Sequence, residues 1–131
     1  IKWKIFLKKI PLTCSIILTD KCNLSCKHCI VSRLGYEDQK LEDVKQDIKR
    51  LYDGGCRMLV ITGGEPFLWE DGDYALNDII NYTREIGFFR VVVCTNGTLE
   101  LNSNADYLWV SLDGLEEEND KIRGEGVYKK V

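Results

Sequence analysis

Long hydrophobic runs are missing at the start of this sequence. Residues 1–10 interleave lysines with apolar residues, and the longest apolar run there, Ile5 to Leu7, has three residues. A secretory core needs about 7–15 apolar residues and a membrane-spanning helix about 20. Neither is encoded in that stretch, and a lead-in strand or short helix over residues 1–11 is expected instead. Proline is scarce, with two residues, and no low-complexity tract occurs; both argue against disorder as a general description. An excess of one charge is also lacking. The 18 basic and 21 acidic residues leave a net charge of −3, without a basic stripe, so nothing in the charge pattern asks for a nucleic-acid partner. The chain opens on Ile1 rather than Met, and it is read as a fragment whose natural start lies upstream.

What is present is the composition of a globular domain: 131 residues, 44% hydrophobic and 30% charged, enough for one core. Apolar runs over residues 12–19, 57–62, 89–95 and 107–112 read as strands. Between the first two, Leu41, Val44, Ile48 and Leu51 recur at helical spacing, and Gly54-Gly55 ends that helix. Between the second and third, Leu76, Ile79, Ile80 and Ile86 mark another helix, for which Asp73 is the expected N-cap and Gly87 the C-terminal glycine. Residues 126–131 read as the beginning of a further helix. Strands that are apolar on both faces and alternate with helices imply a parallel sheet with helices packed on it. Such a sheet brings all strand C-termini to one edge, where α/β proteins bind ligands. The segments that follow the four strands are a cysteine loop, Gly63-Gly64-Glu65-Pro66, Thr95-Asn96-Gly97 and Asp113-Gly114.

Six cysteines are distributed unevenly. Cys22, Cys26 and Cys29 crowd one loop, whereas Cys14, Cys56 and Cys94 stand alone in apolar surroundings. The asymmetry favours a metal site plus buried structural thiols in a reducing cytoplasm over a disulfide framework. The loop spaces its thiols as C-x3-C-x2-C. Three thiolates can each hold one iron of an iron–sulfur cube, leaving the fourth iron open, whereas electron-transfer clusters take four cysteines. A structural zinc site also takes four ligands, usually from paired motifs, and His28 adjoins Cys29 too closely for both to share an ion with Cys26.

The C-x3-C-x2-C loop after a first strand and Gly-Gly-Glu-Pro after a second resemble the radical S-adenosylmethionine (SAM) superfamily. The resemblance covers about residues 12–128, with residues 12–131 as a truncated core domain. It implies a partial (β/α)6 barrel, α/β in class, with about four parallel strands present and helices outside. It also implies a [4Fe–4S] cluster on Cys22, Cys26 and Cys29, with SAM chelating the open iron. One electron from the cluster would then split SAM into methionine and a 5′-deoxyadenosyl radical, which takes a hydrogen atom from the substrate. By the same resemblance Gly63, Gly64, Glu65 and Pro66 meet the SAM amino group, Glu65 as an acceptor for the ammonium. Thr95 and Asn96 supply polar contacts, and Ser111 reaches the carboxylate or ribose, with Asp113 on the same face as a cofactor contact or else a cap of the turn with Gly114. Arg123 pairs with the carboxylate, a solvated surface arginine being the other reading. His28 packs or hydrogen-bonds beside the cofactor, a general acid/base role being the other reading. No catalytic residue beyond the cluster is assigned.

The motifs are most similar to members that build cofactors or mature peptides. A small-molecule or peptide substrate and an electron donor such as flavodoxin or ferredoxin are therefore expected, with no membrane and no nucleic acid. The alternatives are a non-catalytic iron–sulfur or zinc-binding domain and a degenerate SAM-binding regulatory domain.

Overall fold

The computed structural model describes residues 10–31, 35 and 38–131. Most of the expected lead-in segment, and part of the loop between Cys29 and the first helix, lie outside the described residues.

Four strands form one fully parallel sheet: β1 (Thr13–Ile17), β2 (Met58–Thr62), β5 (Arg90–Thr95) and β6 (Tyr107–Val110), in the order β1-β2-β5-β6. The register runs Ile16 to Ile61 to Val93 to Leu108, and one residue further Ile17 pairs with Thr62 and Cys94 with Trp109. Side chains alternate across a strand, so these two rows face opposite sides. The first row, with Leu59 and Val91, packs against helices α1 (Leu41–Asp53) and α2 (Leu76–Glu85). Helix α1 buries Leu41, Val44 and Ile48, and α2 buries Leu76, Ile79, Ile80 and Thr83. These are the stripes that the helical spacing anticipates. Burial of each such aliphatic side chain contributes about 1.5–3 kcal/mol, and most of the core is built this way. The second row faces the inside of a partial barrel and is more open: Ile17, Tyr107 and Trp109 are exposed there.

Two elements depart from the expected pattern. Helix α2 begins at Leu76 rather than at Asp73, because the preceding residues form a small hairpin of β3 (Glu70–Asp71) and β4 (Tyr74–Ala75). Gly72, in the left-handed region at φ 63°, turns that hairpin. The helix start is then capped by Asp78, whose carboxylate accepts the Ala75 N–H at 2.8 Å. The second departure is α3 (Glu116–Arg123), which lies ahead of the helix expected over 126–131; the tail holds only a 3-10 turn, Tyr128–Lys130. Glutamates 116–118 in its first turn and Lys121 and Arg123 in its last complement the helix dipole.

The hairpin also caps α1. Lys40, at the N-cap position, provides no side-chain cap, and Asp71 Oδ2 accepts the Leu41 N–H at 2.9 Å while Oδ1 meets Lys40 Nζ at 3.1 Å. The Leu41 N–H first, and the Lys40 ammonium second, hold the Asp71 carboxyl below its usual range. A depressed folded-state value contributes stability above the unfolded-state value and loses it as pH falls through the folded one. Wild-type protein is therefore expected to lead Asp71→Asn in thermal midpoint at neutral pH. The lead should close on acidification through the carboxylate range, about pH 4. A lead that stays constant through that range would show that Asp71 acts without its charge.

Candidate functional site

The C-terminal edge of the sheet opens into a cavity of about 270 Å³. Its wall brings together Cys22, Cys26, His28 and Cys29 from the loop after β1, Gly63 and Gly64 after β2, Thr95 and Asn96 at the end of β5, Ser111 after β6, and Arg123 from α3. Residues up to 101 positions apart in the chain thus share one hollow. A larger cavity, about 530 Å³, lies along β1 beside Gln39 and Asp47, away from the thiols.

Close backbone packing places the cysteine loop. The Gly64 N–H donates to the Thr19 carbonyl at 2.8 Å, and the Glu65 N–H to the Lys21 carbonyl at 2.7 Å. A Cβ on Gly64 would stand 2.2 Å from the Lys21 carbonyl oxygen and 2.6 Å from that of Asp20; one on Gly63 would stand 2.5 Å from that of Thr19. Both glycines therefore serve first to let the segment 19–21 lie against the end of β2. Thr19 is buried, its hydroxyl donates to Asp38, and Lys21 pairs with the same carboxylate at 2.7 Å. At its far end the loop is tied to α3 by the Lys27 N–H on the Ile122 carbonyl, 2.9 Å.

Glu65 and Pro66 lie behind the cavity wall rather than on it. Glu65 is fully buried. Its Oε1 accepts the Thr95 hydroxyl at 2.9 Å and the Phe67 N–H at 3.3 Å, and its Oε2 accepts the Asn96 N–H at 2.8 Å. Pro66 opens a 3-10 turn, Pro66–Leu68, for which Glu65 is the cap. The carboxylate thus clamps the end of β5 to the turn after β2. Thr95 Oγ1 also accepts the Gly97 N–H at 3.1 Å.

Asp113 is also set behind the wall. Its Oδ2 meets Arg123 Nε at 2.6 Å and stands 3.9 Å from His28 Nε2. The Arg123 contact lacks hydrogen-bond alignment, so it is an electrostatic pairing that links α3 to the strand end. His28 Nε2 is beyond hydrogen-bond length from the carboxylate. Burial pushes the Cys26 thiol above its ordinary value; the Arg123 charge pulls the other way, and Cys22 and Cys29 add to the rise.

The three isolated cysteines do not form one class. Cys56 is buried and Cys14 packs on the core, its thiol pushed up to about 12 by burial and then by its contact with Cys56. Cys94 instead lines the cavity, which corrects its reading as a structural thiol. Val91 and Val93 pack on the helices, so strand alternation turns Cys94 to the interior, a choice that the uniformly apolar sequence of β5 leaves open.

The donor set suits an iron–sulfur cluster. Three thiols from one short loop share the cavity wall, while among the described residues no three cysteine, histidine or carboxylate side chains converge on a single metal-ion position. A cube distributes its irons, one thiolate to each, so its ligands stand around a void rather than around one ion. Cys22 Sγ further accepts the Leu24 N–H at 3.4 Å.

A family model for the radical SAM superfamily matches residues 16–131. Among curated proteins, the Fe-coproporphyrin III synthase of Methanosarcina barkeri is 36% identical over 82% of this chain and 28% of its own length. The antilisterial bacteriocin subtilosin biosynthesis protein AlbA of Bacillus subtilis is 32% identical over 88% of this chain and 27% of its own. The GTP 3′,8-cyclase of Aliarcobacter butzleri is 31% identical over 88% of this chain and 39% of its own. The chain thus spans less than two-fifths of each of these relatives. Among solved structures, Streptococcus suis SuiB bound to its precursor peptide SuiA shares the fold at a TM-score of 0.71, with 21% identity over 88% of this chain and 28% of that one. Native anSMEcpe with bound AdoMet does so at 0.69, with 23% identity over 92% and 39%. The partial parallel barrel, the thiol-lined cavity at its C-terminal edge and the family match converge: this chain belongs to the radical SAM superfamily.

Proposed function

We propose that the protein carrying this chain is a radical SAM enzyme in which Cys22, Cys26 and Cys29 hold a [4Fe–4S] cluster and SAM binds beside it. The observation that carries the reading is the meeting of all three loop thiols with the ends of β2, β5 and β6 on one cavity wall. When bound, the cluster supplies the electron that splits SAM to methionine and a 5′-deoxyadenosyl radical. The chain's own residues have other tasks. Backbone at Gly63 and Gly64 and the Ser111 hydroxyl offer polar contacts to the SAM amino acid, and the Arg123 guanidinium offers a charge-assisted partner for its carboxylate. Glu65, Pro66, Thr95 and Asn96 act from behind or within the wall by holding it in shape, and Asp113 orients Arg123. His28 borders the same space.

The inward row beneath the cavity, Ile17, Thr62, Cys94 and Trp109, and the row below it with Val60, Val92 and Tyr107, give the substrate side an apolar and aromatic floor. A peptide or a small cofactor precursor fits that floor, as the names of the relatives suggest, with flavodoxin or ferredoxin as the class of electron donor and the cytoplasm as the compartment. Among the described residues no helix is long and apolar enough to cross a membrane.

The test is anaerobic reconstitution of the full-length protein with iron and sulfide, followed by electron paramagnetic resonance (EPR) after reduction. A [4Fe–4S] signal that changes on addition of SAM, with release of 5′-deoxyadenosine, is expected in wild type. Cys26→Ala should lose the SAM-sensitive signal and the product. Zinc taken up in place of iron, or a cluster signal indifferent to SAM, would overturn the proposal.

A further inference from the structure

Asn96 is 5% exposed, and each polar atom of its side chain has a protein partner. Its Oδ1 accepts the Thr98 N–H at 2.9 Å and the Thr98 hydroxyl at 2.7 Å. A backbone N–H can only donate, so this contact decides which end of the amide is oxygen. The two Nδ2 hydrogens are thereby turned toward the cysteine loop. One goes to Asn23 Oδ1 at 2.8 Å and the other to Cys22 Sγ at 3.8 Å, within reach of a large sulfur acceptor. Asn23 Nδ2 closes the circuit by donating to Thr98 Oγ1 at 2.8 Å. The backbone is held as firmly, because the Asn96 N–H is bound by the buried Glu65 carboxylate. The amide therefore has little freedom to turn away from the sulfur.

From this geometry we infer that Asn96 is a positioning residue for the cluster, whose amide donates to the Cys22 sulfur and raises the cluster's reduction potential. The inference rests on the proposed function, in which Cys22 is a cluster ligand. Its physical basis is charge. Reduction adds an electron to the cluster and makes the thiolate sulfurs more negative, so a donor to sulfur binds the reduced state more tightly than the oxidised one. Two donors, the Leu24 N–H and the Asn96 amide, then stabilise the reduced form needed for chemistry on SAM. The β5 end, expected to serve SAM, thus also reaches the cluster.

The experiment is an EPR-monitored redox titration of the reconstituted full-length protein. Asn96→Leu, apolar and of similar volume, is expected to move the midpoint to more negative potential. Asn96→Asp, which replaces the donor with a negative charge, should move it further. Thr98→Val keeps the backbone donor that orients the amide and should titrate like wild type. A purely structural role would lower cluster content in the Asn96 variants without moving the midpoint of the loaded fraction, and an unchanged midpoint in Asn96→Leu overturns the inference. If wild type takes up no SAM-responsive cluster, the proposed function fails instead, so the two failures are distinct. Should the Asn96 variants not load at all, wild-type protein grown with side-chain-15N-labelled asparagine decides. Pulsed EPR of its reduced cluster should show a 15N coupling, and the absence of that coupling overturns the inference.

Discussion

Gly64→Ala is expected to empty the cysteine loop of its cluster and to destabilise the domain by about 3 kcal/mol, the upper part of the range for overpacking. The added methyl would stand 2.2 and 2.6 Å from two carbonyl oxygens of the segment that leads into Cys22. Both obstacles are backbone, so no rotamer change relieves the clash. Either β2 separates from residues 19–21, breaking the 2.8 and 2.7 Å hydrogen bonds from Gly64 and Glu65, or the loop shifts as a unit. In each case Cys22 moves relative to Cys26 and Cys29. Chemical denaturation and iron content per chain would be measured together. Wild-type stability with full iron loading in the variant would show that the glycine is dispensable for loop placement. Gly72→Ala is a useful comparison, because nothing stands within 4 Å of its added methyl and only the turn is strained.

Glu65→Ala carries the second large effect, about 3 kcal/mol or more, because each buried donor left without an acceptor costs about 1–3 kcal/mol and several share this one. Truncation leaves the Thr95 hydroxyl and the Asn96 and Phe67 N–H groups without the acceptor they share. Buried donors without partners are costly. Glu65→Gln should lose less. Its oxygen can take the Asn96 N–H while the Thr95 hydroxyl rotates to accept from the new amide, which leaves only the weaker 3.3 Å Phe67 contact opposed. Urea denaturation of the two variants tests the ordering. Equal losses would mean that volume rather than hydrogen bonding sets the cost. A midpoint shift of the cluster in Glu65→Gln would further show that the clamp transmits to Asn96 and through it to Cys22.

The core was legible because periodicity reports burial directly. Leu41, Val44 and Ile48, and Leu76, Ile79 and Ile80, face the sheet as their spacing requires. The motifs were legible because glycine pairs and clustered thiols are rare without a local reason. The start of α2 was not, since Asp73 is a good cap by type yet belongs to a hairpin turned by Gly72. Helix α3 escaped because its charged sequence buries only Asn119 and so carries no apolar period. Cys94 was misplaced because a cysteine in an apolar strand looks the same from either face until the register is known.

The sequence by itself determined the alternation of strands and helices, the parallel sheet, the three clustered thiols and the family resemblance, because these depend on local pattern and on residue type. Only the tertiary structure decided which face of β5 Cys94 occupies, that Glu65 clamps the strand ends from behind the cavity wall, and that the Asn96 amide turns toward Cys22. Those outcomes depend on contacts between residues 30 to 74 positions apart. A side chain's partner at such separations is set by the packing of whole elements, and nothing in its neighbours along the chain encodes it.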